Sequence, residues 1–542
     1  MRLTFRMAAA GAAIFAATLG CGSLYAQTQQ QVDACEGKGN APIDAVIGGC
    51  SALIQSGSYA GRDLSTVLII RAIAHQRKGD LDRAIQDYDQ AIKLDPGSAI
   101  ASYNRGVAYG AKKDWERAIQ SYDQAIKSNP NDASAFRNRG DAHLEKQQVD
   151  RAIGDYDQAL KLDPRNATTF YSRGLAYGRT GQWRRAIEDY DEAIKLDPKL
   201  ATAFYSRGFA LQKENELDRA IKDFDQALVL DPNDASTLAL RGSAYQRKGE
   251  VDHAIEDFTR AIALDANDAA TFHNRGVAYS SKRQWDLAVQ DFDRVIRLQP
   301  DDASAFAYRG AAYQRKGELD RALQDLDRAI ELDPRLAVAF TYRGVAYSTR
   351  GDWGLAIQEY TRAIELNPKD VAAFYNRGIA HSRKQQWDSA AQDFDQAIRL
   401  SPDDASAYRN RGLAYQKLLR LDAAVADFDR AAALNPKDAA AFAFSGGIHL
   451  RRGEIDRAIQ DYDRALQIDP TDATTFYNRG VAYGSRKELD RAVQDYDQAL
   501  KLDPGFAAAL YGRGVAKEQL GDKAGADEDI NAARKIDPEV GK

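Results

Sequence analysis

The stretch ASAFRNRGDAHLEKQQVDRAIGDYDQALKLDPRN, Ala133 to Asn166, decides how the chain is read. Phe136, Gly140 and His143 fall at helical spacing, and Ala152, Tyr156 and Ala159 do so again further on. Each set makes one apolar stripe on a helix. Gly140 and the alanines are small where two helices must approach closely, and Tyr156 fills the space beside them. Leu162-Asp163-Pro164 then stops the second helix, because proline disfavours helix at the residue before it. The stretch predicts two antiparallel helices.

Outward from it, the pattern returns every 34 residues with no insertion or deletion. Arg-Gly stands at Arg105, Arg139, Arg173, Arg207, Arg241, Arg275, Arg309, Arg343, Arg377, Arg411, Arg479 and Arg513. Arg71-Ala72 and Ser445-Gly446 fill the two remaining registers, which gives fourteen units from Ser65 to about Glu539. An alanine keeps the same beat from Ala84 to Ala526, followed four residues later by a large apolar side chain. A second alanine comes three further on, with only Val295 departing. Prolines from Pro96 to Pro538 occupy one place per unit, with Ala266 the single gap. Asp132, Asp234, Asp268 and Asp302 stand where they would cap the first helix of a unit. Two helices cannot bury both stripes alone, so neighbouring units must stack.

This pattern is similar to the tetratricopeptide repeat family, over Ser65 to Pro538. The resemblance implies an all-α fold over residues 65–540, a right-handed α-solenoid of fourteen helix-turn-helix repeats. It also implies a protein-binding scaffold rather than an enzyme. The departure is the Arg before the Gly, where the family more often carries Leu. That place lies on the apolar side of the first helix, so the stem should follow the core and the head should reach an acid. Asp155, Asp157 and their equivalents are the candidates. Ser445 lacks the Arg while Asp461 and Asp463 remain, so the pairing is not obligatory. Thirteen identical arginines read as structural rather than as a ligand ladder.

Other chemistry is hard to place. Trp115, Trp183, Trp285, Trp353 and Trp387 share one position near the start of the second helix, where other units hold Leu, Val or Ile. His75, His143, His381 and His449 replace a stripe Tyr, and His253 and His273 have no ligand partner at metal spacing. There is no HExxH, phosphate loop, GxSxG or GxGxxG. No cofactor, metal or small-molecule substrate is expected. The formal charge of −5 is interleaved along the chain without a basic stripe, which argues against nucleic acid.

The N-terminus reads separately. Arg2 and Arg6, the apolar run Met7–Leu19 and the small residues before Gln27 have the layout of a secretory signal peptide, residues 1–26. Thr18-Leu19-Gly20-Cys21 resembles a bacterial lipobox, although that family prefers Leu at the Thr18 place. The first reading gives a periplasmic or secreted protein. The second makes Cys21 the acylated start of an outer-membrane lipoprotein in an envelope assembly or secretion complex. Residues 27–64 form an N-terminal helical segment in which Cys35 and Cys50 are expected to be disulfide-bonded around Pro42. Removing residues 1–26 takes away two arginines and no acid, so −5 becomes −7.

In the resembled family the first-helix face opposite the stripe lines a concave groove. Here it presents Tyr103, Asn104, Asn138, Tyr171, Tyr205, His273, Asn274, Tyr375, Asn376, Arg409, Asn410, Tyr477 and Asn478. Tyr with Asn suits an extended peptide, because the ring covers an apolar side chain while the amide bonds backbone N–H and C=O. The same residues would equally serve packing between repeats. Some family members grip a C-terminal carboxylate with Lys and Asn. The corresponding places here hold Tyr, Val, Asn, Ser or Thr with scattered Arg, so that clamp is absent.

Overall fold

The structure, a computed structural model, describes residues 22–541. Among these, every regular element is a helix, thirty in all. Helices α1 (Gly22–Cys35) and α2 (Ile43–Gln55) form an N-terminal hairpin, followed by α3 (Gly61–Lys78) and α4 (Leu81–Leu94), the first repeat pair. Thirteen further pairs follow, each a first helix of 13 or 14 residues and a second of 14, ending with Ala507–Leu520 and Lys523–Ile536. The chain divides into two compact units at Ala266/Asn267, the turn that lacks the proline. The first holds the hairpin and six pairs, and the second holds eight pairs. Within each unit, a first helix packs on the second helix of its own pair and on that of the preceding pair. The apolar leader run and Cys21 lie outside the described residues.

The pair Ala167–Arg179 and Trp183–Leu196 shows why the sequence does this. Tyr190 lies flat on Gly174, so close that a Cβ there would stand 2.6 Å from the ring. Ala186 and Ala193 are fully buried on either side of that contact. The core continues from pair to pair: Ala186, Ile187 and Tyr190 share one cluster with Leu211, Ile221 and Phe224. Asp132 caps its helix by accepting from the Ser134 and Ala135 amides, and Asp234, Asp268 and Asp302 cap theirs. At the other end, Asp163 before Pro164 leaves the helical region, with φ −132° and ψ 86°. Cys35, the last residue of α1, is disulfide-bonded to Cys50 in α2. The bond and Leu53 make a small core with Val67 of α3. No helix among the described residues is long and apolar enough to cross a membrane.

The turn between the two helices of a pair carries a device that the sequence pattern hides. One residue, eight after the arginine position, adopts the left-handed conformation in pair after pair. Gly79, Gly249, Gly317 and Gly351 fill it at no steric cost, but Lys113, Gln147, Arg283, Leu419 and Lys487 fill it too, with φ near +60°. An L side chain there costs roughly 1–2 kcal/mol. Leu419 gains little burial in return, being 79% exposed at φ 58°. Leu419→Gly should therefore stabilise the protein by about 1 kcal/mol. Gly174→Ala should destabilise it by about 1–3 kcal/mol through overpacking against Tyr190. Urea unfolding followed by circular dichroism checks both signs.

Candidate binding faces and the arginine staple

Where a pair carries the arginine, it is a staple between repeats. Arg173 donates from Nε and Nη2 to both oxygens of Asp189, at 2.8 and 2.6 Å, in its own second helix. Its remaining nitrogen, Nη1, donates at 2.6 Å to Asp157 in the second helix of the preceding pair. The same three bonds recur at Arg139, Arg207, Arg241, Arg309, Arg411, Arg479 and Arg513. Both acids expected from sequence are thus used, but by different arginines. Asp155 takes the arginine of its own pair, Arg139, and Asp157 takes that of the next, Arg173. The guanidinium also lies between rings, with Cζ of Arg173 5.6 Å from the Phe170 ring and 6.0 Å from Tyr177. The hydrogen bonds to Asp189 hold the Arg173 charge more firmly than usual, raising its pKa.

The tyrosines expected on the first-helix face are half-buried, each braced by its own pair. Tyr103, Tyr171, Tyr375 and Tyr477 lie 5.8–5.9 Å, centroid to centroid, from the second-helix rings of Tyr122, Tyr190, Phe394 and Tyr496. Tyr205 is likewise half-buried. His273 stands edge-on to Phe292 and Tyr308, and burial holds its imidazole below the ordinary pKa. Several polar groups of the face are already committed. Asn138 is 5% exposed and donates at 2.9 Å to the Tyr103 hydroxyl of the preceding pair, as Asn410 does at 2.8 Å to Tyr375. Arg409 pairs with Asp438, and Asn104 donates to the carbonyl of Ile100. Asn274, Asn376 and Asn478 differ: they are half-exposed and, among the described residues, hold no side-chain hydrogen bond.

Two features of the face escape the sequence reading. Tyr308 and Tyr342 take the Asn position in consecutive pairs, and with His273 they form an edge-to-face row at 5.0 and 5.8 Å. The pattern gave no signal, because the residue type changes there. Asp141 is the one acid at the place where other units hold Val107, Leu175 or Phe209. It accepts from the Tyr156 hydroxyl at 2.7 Å, and desolvation pushes its carboxyl above the ordinary range.

Stacked helix pairs, a periodic staple and an outward face of rings and amides define a helical repeat protein of the interaction-scaffold class. Tetratricopeptide repeat models match residues 71–133, 201–234, 303–336, 343–405, 377–443 and 473–506, and TPR repeat models match 140–181, 179–215, 242–282 and 446–487. The matches span well over half of the sequence, and the chain belongs to the tetratricopeptide repeat family. No curated protein matches it significantly. Similar solved structures include YrrB, described as a TPR protein with an unusual peptide-binding site, at 27% identity over 34% of this chain and 96% of that one, TM-score 0.32. The Cut9–Hcn1 hetero-tetramer of the APC/C is 16% identical over 86% of this chain and 98% of that one, TM-score 0.41. Yeast Tom70 is 19% identical over 74% and 92%, TM-score 0.32.

The two acids of the staple differ in burial, and so should the energies of their bonds. The Asp189 side chain is 6% exposed and the Asp157 side chain 43%. Asp189→Ala leaves a guanidinium half-met in a dry site and should cost about 3–5 kcal/mol. Asp157→Ala removes a contact at the solvent edge and should cost about 1 kcal/mol or less. Denaturant unfolding of the two variants measures the ratio.

Proposed function

We propose that the protein is a non-enzymatic interaction scaffold of the bacterial periplasm, which binds a protein or an extended peptide on its first-helix faces. The observation that carries this reading is the set Asn274, Asn376 and Asn478. These amides stand half-exposed on a face lined by braced aromatic rings, and no side-chain hydrogen bond among the described residues uses them. A peptide backbone offers alternating N–H and C=O groups, and one amide side chain meets both. The adjoining rings add apolar cover at little entropic cost, since packing already fixes them. Family membership supports the scaffold class. The leader-like residues 1–26 and the Cys35–Cys50 disulfide support an oxidising compartment.

Because the Asn376 and Asn478 side chains hold no hydrogen bond among the described residues, replacing them should leave stability alone. A peptide selected on the wild-type chain from a random display library should bind the Asn376→Ala/Asn478→Ala variant about tenfold or more weakly, with the melting midpoint unchanged. Equal affinity for every peptide selected would show that this face is not the binding site.

A further inference from the structure

The twelfth pair, Ala439–Arg451 with Ile455–Ile468, departs from the staple, because Ser445 stands where the arginine belongs. In the flanking pairs the guanidinium fills a socket with four walls. Arg411 is held by Asp427 at 2.8 and 2.7 Å and by Asp395 at 2.8 Å, between the Tyr408 and Tyr415 rings at 5.5 and 5.7 Å. Arg479 repeats this with Asp495, Asp463, Phe476 and Tyr483. The twelfth pair keeps all four walls: Asp461, Asp429, Phe442 and His449 occupy the corresponding places.

What it lacks is the arginine that would bridge the two acids. Arg464 lies 5.7 Å from the Phe442 ring, as Arg430 does at 5.9 Å from Tyr408 in the filled eleventh pair, but among the described residues it pairs with neither acid. Among the described residues Asp429 makes no ion pair and no side-chain hydrogen bond, whereas its counterparts Asp395 and Asp463 each accept from the next arginine. Partial desolvation and the neighbouring Asp461 charge push the Asp429 carboxyl above its ordinary pKa, although its outer edge is exposed. The Asp461 side chain is 17% exposed against 8% for Asp427 and 7% for Asp495. His449 has leaned into the space, its Nδ1 2.8 Å from Asp461 Oδ2. Where the arginine is present, at His143 and His381, the same nitrogen turns to Gln148 and Gln386 instead. Ser445 Oγ, only 2% exposed at the root of the socket, finds no hydrogen-bond partner.

Two carboxylates set for three guanidinium N–H groups, with a ring on either side, favour a planar cation over a compact ammonium. We propose that the twelfth pair binds the guanidinium of an incoming ligand, in the place that the chain's own arginine fills in the flanking pairs. The source is either an arginine side chain on a partner or a small alkylguanidine. The ligand enters past the exposed edge of Asp429, and His449 gives up Asp461 Oδ2 to it and turns toward Glu454, already 3.8 Å from its Nε2. The socket is independent of the first-helix amides, so peptide capture on that face and guanidinium binding here stand or fall separately.

Calorimetric titration of the full chain with n-butylguanidine, acetyl-Gly-Arg-Gly-amide and its lysine counterpart tests this. Wild type should bind the guanidinium probes about tenfold or more tightly than the lysine peptide. Ser445→Arg refills the socket and should abolish that binding without lowering the melting midpoint. The surface variant Asp429→Asn should weaken binding about tenfold even if Ser445→Arg folds poorly. Binding of both probes supports a free alkylguanidine, and binding of the peptide alone supports an arginine of a partner. If neither probe binds wild type, or if Asp429→Asn binds as wild type does, the proposal is overturned.

Discussion

A guanidinium shared between carboxylates on two different second helices, recurring through most of the repeats, is the contact on which the register of the array depends. The Arg173 side chain is 20% exposed, and a charge so placed needs both acids if it is not to be a liability. Those acids lie sixteen residues before and sixteen after it, one in each neighbouring second helix. A single inserted residue in either helix would rotate an acid away from its arginine. This accounts physically for a 34-residue period that runs the length of the array without slipping. Where an acid is missing, a hydroxyl substitutes: Arg105 donates to Ser121 and Arg377 to Thr361, each at 3.0 Å. The first arginine, with no repeat before it, reaches Ser51 of α2 at 3.1 Å and so ties the N-terminal hairpin into the same system. In the last pair the outer-acid place is held by Asn531.

Because the staples join second helix to first helix, the outward face of the first helix is relieved of holding repeats together and can vary. It varies in a graded way. Asn138 and Asn410 link successive pairs through tyrosine hydroxyls, Tyr308 and Tyr342 do so through ring contact, and Asn376 and Asn478 do neither. Rigid rings beside unspent amides fit the proposed binding of an extended chain, since the entropic cost of ordering the rings has been met in folding.

Much of this was legible in the sequence because the constraints repeat. Gly174 against Tyr190, Asp163 before Pro164 and the cap at Asp132 each recur at fixed spacing, so the helix pair, its small-residue contact and its stop follow from the pattern alone. What repeats in conformation but not in residue type was illegible. The left-handed turn position is filled by Gly79, Lys113, Leu419 and others, so no residue type marks it. The second acid of the staple belongs to the preceding pair, and spacing within one repeat does not reveal contacts made across two. The commitment of Asn138 to Tyr103 spans 35 residues and involves a hydroxyl whose direction only packing decides. Sequence placed Asn138 and Asn376 together as binding residues, whereas their surroundings set them apart.

The central claim is that the staple register, rather than any one repeat, carries the fold. Excising Ala167–Leu200 removes one whole pair and joins Asn166 to Ala201, which leaves Arg207 again sixteen residues after an acid, now Asp157. Excising Ala167–Gln182 removes a first helix and its turn and leaves Asp157 and Asp189 without Arg173. Circular dichroism with urea unfolding should show the first variant keeping the helicity per residue and the cooperative transition of the parent. The second should lose stability severely. Equal damage from both deletions would contradict the account.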